Sequence, residues 1–257
     1  MSVPKAVAVV GFKKAGKTSV VEALIRELTC RGRRVGTLKH ASQTHPIDSP
    51  GKDTWRFEEA GSVASAILTS ERTAIFLTRP VSIAEAVARL GAVDVLVIEG
   101  FKSLDSVARI IVPRTAEEIQ PLANGLEIAV SGPSVEGIPT AGVNIPIIPL
   151  SQVGELADLV EAKAFPLLPN MNCGGCGYEN CRDLARAILP GDARAEQCVS
   201  YAGGAIRLTV DGVAVPMKPF VQDIIGNAVI GMVRALKGVG DIRKVELSIN
   251  AGGDDDG

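Results

Sequence analysis

The chain has 257 residues, 46% of them hydrophobic and 22% charged, which suits a soluble globular protein able to bury a sizeable core in one large domain or two modest ones. Its 27 Lys and Arg stand against 29 Asp and Glu, and a net charge of -2 argues against broad attraction to nucleic acid or an anionic membrane, so an anionic ligand must be held locally. No apolar run approaches the roughly 18–20 residues that span a bilayer, and MSVPKAVAVVG does not read as a signal peptide, so the expectation is a cytoplasmic protein that engages neither nucleic acid nor membrane.

Residues 5–165 alternate short apolar runs with helical patterns, the signature of an α/β fold with a mainly parallel sheet. AVAVVG (6–11) reads as a buried strand. Val20, Val21, Leu24, Ile25 and Leu28 then share one helical face, with Gly32 as the stop and Cys30 expected as a buried or half-buried thiol. RVGTLKH (34–40) is a second strand. SAILTSERTAIFLTR (65–79) predicts two strands joined by a tight turn, an antiparallel pair interrupting the parallel order. A short helix near 82–90 follows, then strands in VDVLVIEGF, ARIIV, LEIAV and IPIIPL, and a closing helix over 151–165. PLLPN (166–170) carries two prolines and marks a boundary.

GFKKAGKT, Gly11 to Thr18, fits G-x-x-x-x-G-K-[ST] between a strand and an amphipathic helix, where a phosphate-binding loop belongs. Gly11 and Gly16 let the backbone curl, so that N-H groups of Lys14, Ala15, Gly16 and the helix start at Lys17, Thr18 and Ser19 face a phosphate. Lys17 adds a point charge and Thr18 a hydroxyl for Mg²⁺. VDVLVIEG offers two carboxylates to orient that metal; ligands bind beyond the carboxyl ends of parallel strands, which selects Glu99 and leaves Asp94 as a solvated strand-start residue. The segment KHASQTHPIDSPGKDTWR (39–56) should emerge at the same edge and contact a ligand. Two histidines in one loop support no Ser/His/Asp or Cys/His triad.

Gly11–Thr18, Lys39-His40, Asp48 with Gly51-Lys52-Asp53 and Arg56, and Glu99-Gly100-Phe101-Lys102 together resemble the motifs of the molybdopterin-guanine dinucleotide biosynthesis protein B family over roughly residues 4–165. The resemblance implies a P-loop protein that binds GTP with Mg²⁺, hydrolyses it slowly at most, and assists a partner, protein A, the molybdopterin guanylyltransferase. It implies Lys17 and Glu99 in the catalytic roles, Thr18 and Glu99 at Mg²⁺, and Lys39, His40, Asp48, Lys52, Asp53 and Arg56 near the nucleotide or molybdopterin. Thr54-Trp55 and the histidine spacing over 40–45 depart from the family pattern, which bears on His45. The guanine-reading motif N-K-x-D does not occur, so GTP over ATP comes from the resemblance alone.

Beyond the boundary, Cys173, Cys176, Cys181 and Cys198 follow the spacing C-x2-C-x4-C-x16-C. Clustered cysteines in a reducing compartment are more often metal ligands or redox groups than disulfides. Four thiolates suit a [4Fe-4S] cluster or a structural zinc; the lone distal cysteine favours the cluster, and Gly174, Gly175 and Gly177 leave room for it. The segment is also similar to a four-cysteine [4Fe-4S] domain of electron-transport and corrinoid-protein-associated subunits. AIRLTV-DG-VAVP predicts a hairpin, Pro219 opens an apolar helix, KVELSI (244–249) a last strand, and AGGDDDG a disordered tail.

The organisation expected is a P-loop NTPase-like α/β domain over 1–166 with an antiparallel insertion, a four-cysteine domain over 167–201, a ββαβ unit over 202–250 and a tail over 251–257. The apolar helix of the ββαβ unit reads as a structural cap, with room for a homodimer contact. Three functions fit: a GTP-binding accessory protein of molybdenum or tungsten cofactor synthesis carrying a cluster, a nucleotide-gated iron-sulfur electron-transfer or sensor protein, or a P-loop binding module stapled by zinc.

Overall fold

A computed structural model describes residues 4–41, 47–139 and 145–200 and, in the C-terminal part, 206, 208–210, 213–215, 217–242 and 244–249. β1 (Lys5–Val10) leads through a tight loop into α1 (Lys17–Cys30), followed by β2 (Val35–Lys39), α2 (Asp53–Glu59), β3 (Ala64–Leu68), β4 (Thr73–Leu77), α3 (Ile83–Arg89) and β5 (Val95–Glu99). β6 (Ala108–Ile111), α4 (Ile119–Leu122), β7 (Glu127–Gly132), β8 (Ile147–Pro149), α5 (Val153–Lys163) and β9 (Phe165–Pro166) complete the first part.

The main sheet runs β2-β5-β1-β6-β7-β8, every neighbouring pair parallel, with the two-residue β9 antiparallel on the start of β1. Buried on both faces, its central strands are almost continuously apolar, as parallel strands require. Successive residues of β1 face opposite sides: Val7 and Val9 pack with Leu24, Leu28, Leu156 and Val160, whereas Ala6, Ala8 and Val10 pack with Ile111, Ile119 and Leu122. Arg31 ties α1 to α5 by donating to Glu27, Asp158 and Glu161 and to the Gly154 carbonyl.

Three expectations need correction here. β3 and β4 do pair antiparallel, but as a two-stranded sheet of their own, leaving the parallel order intact; with Leu68 and Ile75 largely exposed, the pair lacks the two covered faces of an inner strand. Asp94 is not merely solvated. The β2–β5 register sets Arg34 beside it, and Arg34 donates from its backbone N (2.9 Å), Nε (3.1 Å) and Nη2 (2.7 Å), the side-chain bond foremost in holding the carboxyl down to about 2. Cys30 is exposed, because two positions beyond Leu28 it has rotated off the buried face of α1.

α6 (Cys181–Ile188) starts under an Asn180 cap whose side chain accepts from the Asp183 N-H at 3.0 Å. Leu184 and Ala185 are wholly buried in the same core cluster as β1, α1 and α5, and Leu168 of the proline-rich connection is 1% exposed there. The cysteine segment thus packs into the main core.

β10 (Leu208–Val210) and β11 (Val213–Val215) pair as the expected hairpin, whose turn lies outside the described residues. α7 (Pro219–Arg234) is less buried than its composition implies: Gln222 is its one buried residue, while Phe220, Ile224 and Met232 face solvent. Residues 244–249 form no strand; Leu247 and Ile249 are exposed, and alternation alone does not make a strand where no ladder partner takes up its N-H and C=O groups. The tail 251–257 lies outside the described residues.

Two outcomes follow. Leu184→Ala should lower the stability of the whole P-loop core by about 2–5 kcal/mol, as a buried leucine does, and in one transition by urea unfolding. The stability difference between wild type and Asp94→Asn should be full above the ordinary carboxylate range and fade as pH falls through about 2, because a depressed folded-state pKa stabilises only while the carboxylate is ionised.

Candidate functional site: a glycine loop at the carboxyl edge and a four-cysteine segment

The parallel registers decide what meets at the carboxyl edge. Glu99 is opposite Val9 of β1 and Lys39 of β2, so the carboxyl ends of three strands stand side by side at the start of the Gly11–Gly16 loop. The Thr18 hydroxyl, on the first turn of α1, donates to the Glu99 carboxylate at 3.2 and 3.3 Å, and Lys39 Nζ is 3.3 Å from Glu99 Oε1. Lys17 Nζ donates back to the Phe12 carbonyl at 2.8 Å. Lys102 Nζ stands 4.4 Å above the Phe12 ring, and the His40 ring lies 4.6 Å from that of Phe101.

The loop curls as its glycines require. Gly16 has φ 89° and caps α1, and a Cβ there would sit 2.7 Å from Pro133 carbons; a Cβ on Gly11 would sit 2.4 Å from the Val112 carbonyl oxygen. Lys14 is left-handed at φ 64°, Ala15 is buried, and Ser19 is exposed on the first helical turn. Burial pushes the Lys17 pKa down, Glu99 opposes it, and Lys102 and Lys39 push further down. Three cations around one carboxylate leave room for added negative charge, and a helix N-terminus points at the same place.

The structure thus gathers Gly11, Lys14, Ala15, Gly16, Lys17, Thr18, Lys39, His40 and Glu99, with the His40 N-H donating to the Glu99 carbonyl at 2.9 Å. Asp48 accepts locally from the Ser49 N-H, and Lys52, Asp53 and Arg56 lie exposed at the start of α2. Among the described residues no hydrogen bond or ion pair joins these four side chains to the loop. His45 lies outside the described residues.

The cysteine segment folds back on itself. The Cys181 N-H donates to Asn172 Oδ1 at 2.9 Å, Gly177 N-H to the Gly174 carbonyl at 3.1 Å, and Gly174 and Gly177 take φ 70° and 86°. Cys173 Sγ is 3.6 Å from Ser200 Oγ. Burial pushes its thiol up, yet hydrogen bonds from the Gly175 backbone and from Ser200 outweigh burial and leave it below its ordinary value. Cys181 and Cys198 are buried, Cys173 and Cys176 half-buried. Among the described residues no three His, Cys, Asp or Glu side chains form a ready metal-ion cage. The donor chemistry of four thiols in one short segment, with glycine at the close turns, still fits an iron-sulfur group.

Residues 6–130 match the family described as "Molybdopterin guanine dinucleotide synthesis protein B", or MobB. The chain carries a MobB-family domain. Residues 168–200 match a second family, described as "Putative Fe-S cluster", so a MobB domain is followed by a cluster-family domain. A Methanocaldococcus jannaschii protein described as a "Putative molybdopterin-guanine dinucleotide biosynthesis adapter protein" is 27% identical over 96% of this chain and 97% of its own length, an alignment that reaches past the MobB domain. The Haemophilus influenzae molybdopterin-guanine dinucleotide biosynthesis adapter protein is 29% identical over 60% of this chain and 85% of its own. The crystal structure of Bacillus subtilis MobB superposes with TM-score 0.53 at 25% identity, covering 62% of this chain and 96% of that one, in the same α/β class.

The sequence left Arg109 and the Asp105–Arg182 ion pair unremarked. A charge inside the apolar strand ARIIV was the available signal for the first; the second joins residues 77 apart and had none. Gly16→Ala should abolish binding of a phosphate ligand and destabilise the fold by at least about 1–2 kcal/mol, from the left-handed backbone alone, as titration calorimetry and urea unfolding would measure.

Proposed function

We propose that this chain is a cytoplasmic GTP-binding adapter in the synthesis of molybdopterin guanine dinucleotide, for a molybdenum or tungsten enzyme, and that it also holds a [4Fe-4S] cluster. The observation that carries the reading is the Thr18–Glu99 contact at 3.2 Å inside a ring of lysines, a hydroxyl and a carboxylate spaced to share one Mg²⁺. Gly11–Thr18 cradles the phosphates, Lys17 and Lys39 balance their charge, and Lys102 closes the rim. Lys17 and Glu99 support at most slow GTP hydrolysis. Asp48, Lys52, Asp53 and Arg56 lie on the segment that presents the nucleotide, with molybdopterin, to a guanylyltransferase partner.

The adapter names of the full-length and shorter relatives support this pathway. Cys173, Cys176, Cys181 and Cys198 are the ligands proposed for the cluster, which when bound supplies one-electron chemistry. The apolar face of α7 offers a homodimer contact.

Calorimetric titration should show Mg-GTP binding, preferred over Mg-ATP, with Glu99→Gln losing at least tenfold in the presence of Mg²⁺ and far less in EDTA. No GTP binding, or tighter ATP binding, overturns the nucleotide reading. Anaerobically purified chain should carry about four irons and four sulfides per chain; stoichiometric zinc in their place refutes the cluster.

A further inference from the structure

The loop from Gly100 to Ser106 is gripped at both ends. Arg109 sits on β6 at a register shift against β7, 2% exposed, a cation in an otherwise apolar strand. Its guanidinium donates to the carbonyls of Leu104 (2.7 Å), Leu122 (2.9 Å) and Lys102 (3.4 Å) and lies 3.9 Å from Asp105 Oδ1, while its buried Nε has no hydrogen-bond partner among the described residues. A buried cation is tolerated only where acceptors surround it, so the carbonyls of this loop are held in place by Arg109. Burial pushes the Arg109 pKa down, opposed by Glu127 and Asp105.

At its first end the loop continues Glu99 and bears Lys102, both at the phosphate site. At its other end Asp105 accepts from Arg182, the residue after Cys181, and from Asn124 Nδ2 at 2.9 Å. The Asn124 carbonyl in turn accepts from Arg186 Nε (3.1 Å) and Nη2 (2.5 Å), one turn further along α6. Asp105 and Arg182 line a polar cleft of about 280 Å³ together with Asn170, Asn172 and Asn180, so the joint is reached by solvent and is not locked in the core. The helix that carries Cys181 is fastened by Arg182 directly, and by Arg186 through Asn124, to the loop that follows Glu99 and bears Lys102.

We infer that this loop joins the phosphate site to the cysteine segment as one mechanical unit, with Arg109 as its positioning residue and the Asp105–Arg182 pair as the joint. Occupancy of one site then biases the geometry of the other, and by linkage the bias is reciprocal. The inference rests on the nucleotide-binding reading only for its second consequence; the first concerns the chain alone.

The test uses full-length protein in four variants: Arg182→Gln, Asp105→Asn, the conservative Arg182→Lys, and Ala187→Gly, which weakens the same helix without touching the loop. In nucleotide-free hydrogen exchange, Arg182→Gln and Asp105→Asn should speed exchange severalfold at residues 11–18 and 99–105, while Arg182→Lys, which keeps the cation, should stay close to wild type. In the Mg-GTP titration Arg182→Gln and Asp105→Asn should weaken binding about fivefold, with Ala187→Gly unchanged. Faster exchange confined to 181–186, or equal effects from Ala187→Gly, overturns the joint. A wild type that binds no GTP sinks the proposed function, while the nucleotide-free exchange still decides the inference.

Discussion

The carboxyl end of β5 carries the constraint on which the site depends. Glu99 is a partly buried carboxylate held level with Lys39 on one side and Val9 on the other by parallel registers that cannot slip without turning buried side chains to the wrong face. The apolar alternation that makes the sheet therefore also sets the position of the acid relative to Thr18. Had the register moved by one residue, Ile98 would occupy that place and the carboxylate would point into the core. The precision of the site is a by-product of the packing of apolar strand residues that face the core.

The glycines translate that precision into shape. Gly16 is left-handed against Pro133, which follows β7, and Gly11 closes on the Val112 carbonyl, which follows β6. Each contact binds the loop to a different strand, so the curl of the loop is enforced by the sheet as well as by local flexibility. The electrostatics then follow from what was crowded together: burial foremost pushes Lys17 down, Glu99 opposes it, Lys102 and Lys39 push it further, and added negative charge at the loop would favour the charged lysine.

What the sequence disclosed divides by range. The strand, loop and helix of residues 5–30 were readable because glycine spacing, apolar periodicity and a lysine at a fixed offset are all local. Choosing Glu99 over Asp94 needed one rule about strand exits, and Glu99 is the carboxylate that lies within hydrogen-bond reach of Thr18. Asp94 was misread because its partner, Arg34, is adjacent only through a strand pairing. The β3–β4 pair was legible as a pair but not as a separate sheet, since pairing is local whereas membership in a larger sheet depends on which faces are covered. KVELSI had the right alternation and no partner strand, a reminder that a period of two records a preference for one wet face and not a ladder.

The joint between Asp105 and Arg182 is the extreme of this gradient, and it bears on why a cysteine segment should follow a MobB domain at all. If the segment were a tethered appendage, Leu184 and Ala185 would bury against partners of their own; instead they complete the core that α1 and α5 already line. The same helix that fills that core starts at Cys181 and answers to Asp105 and Asn124 on its polar side. Asp105 belongs to the loop that follows Glu99 and bears Lys102, so the inferred coupling between the thiols and the glycine loop would run through contacts that the packing of α6 already holds in place.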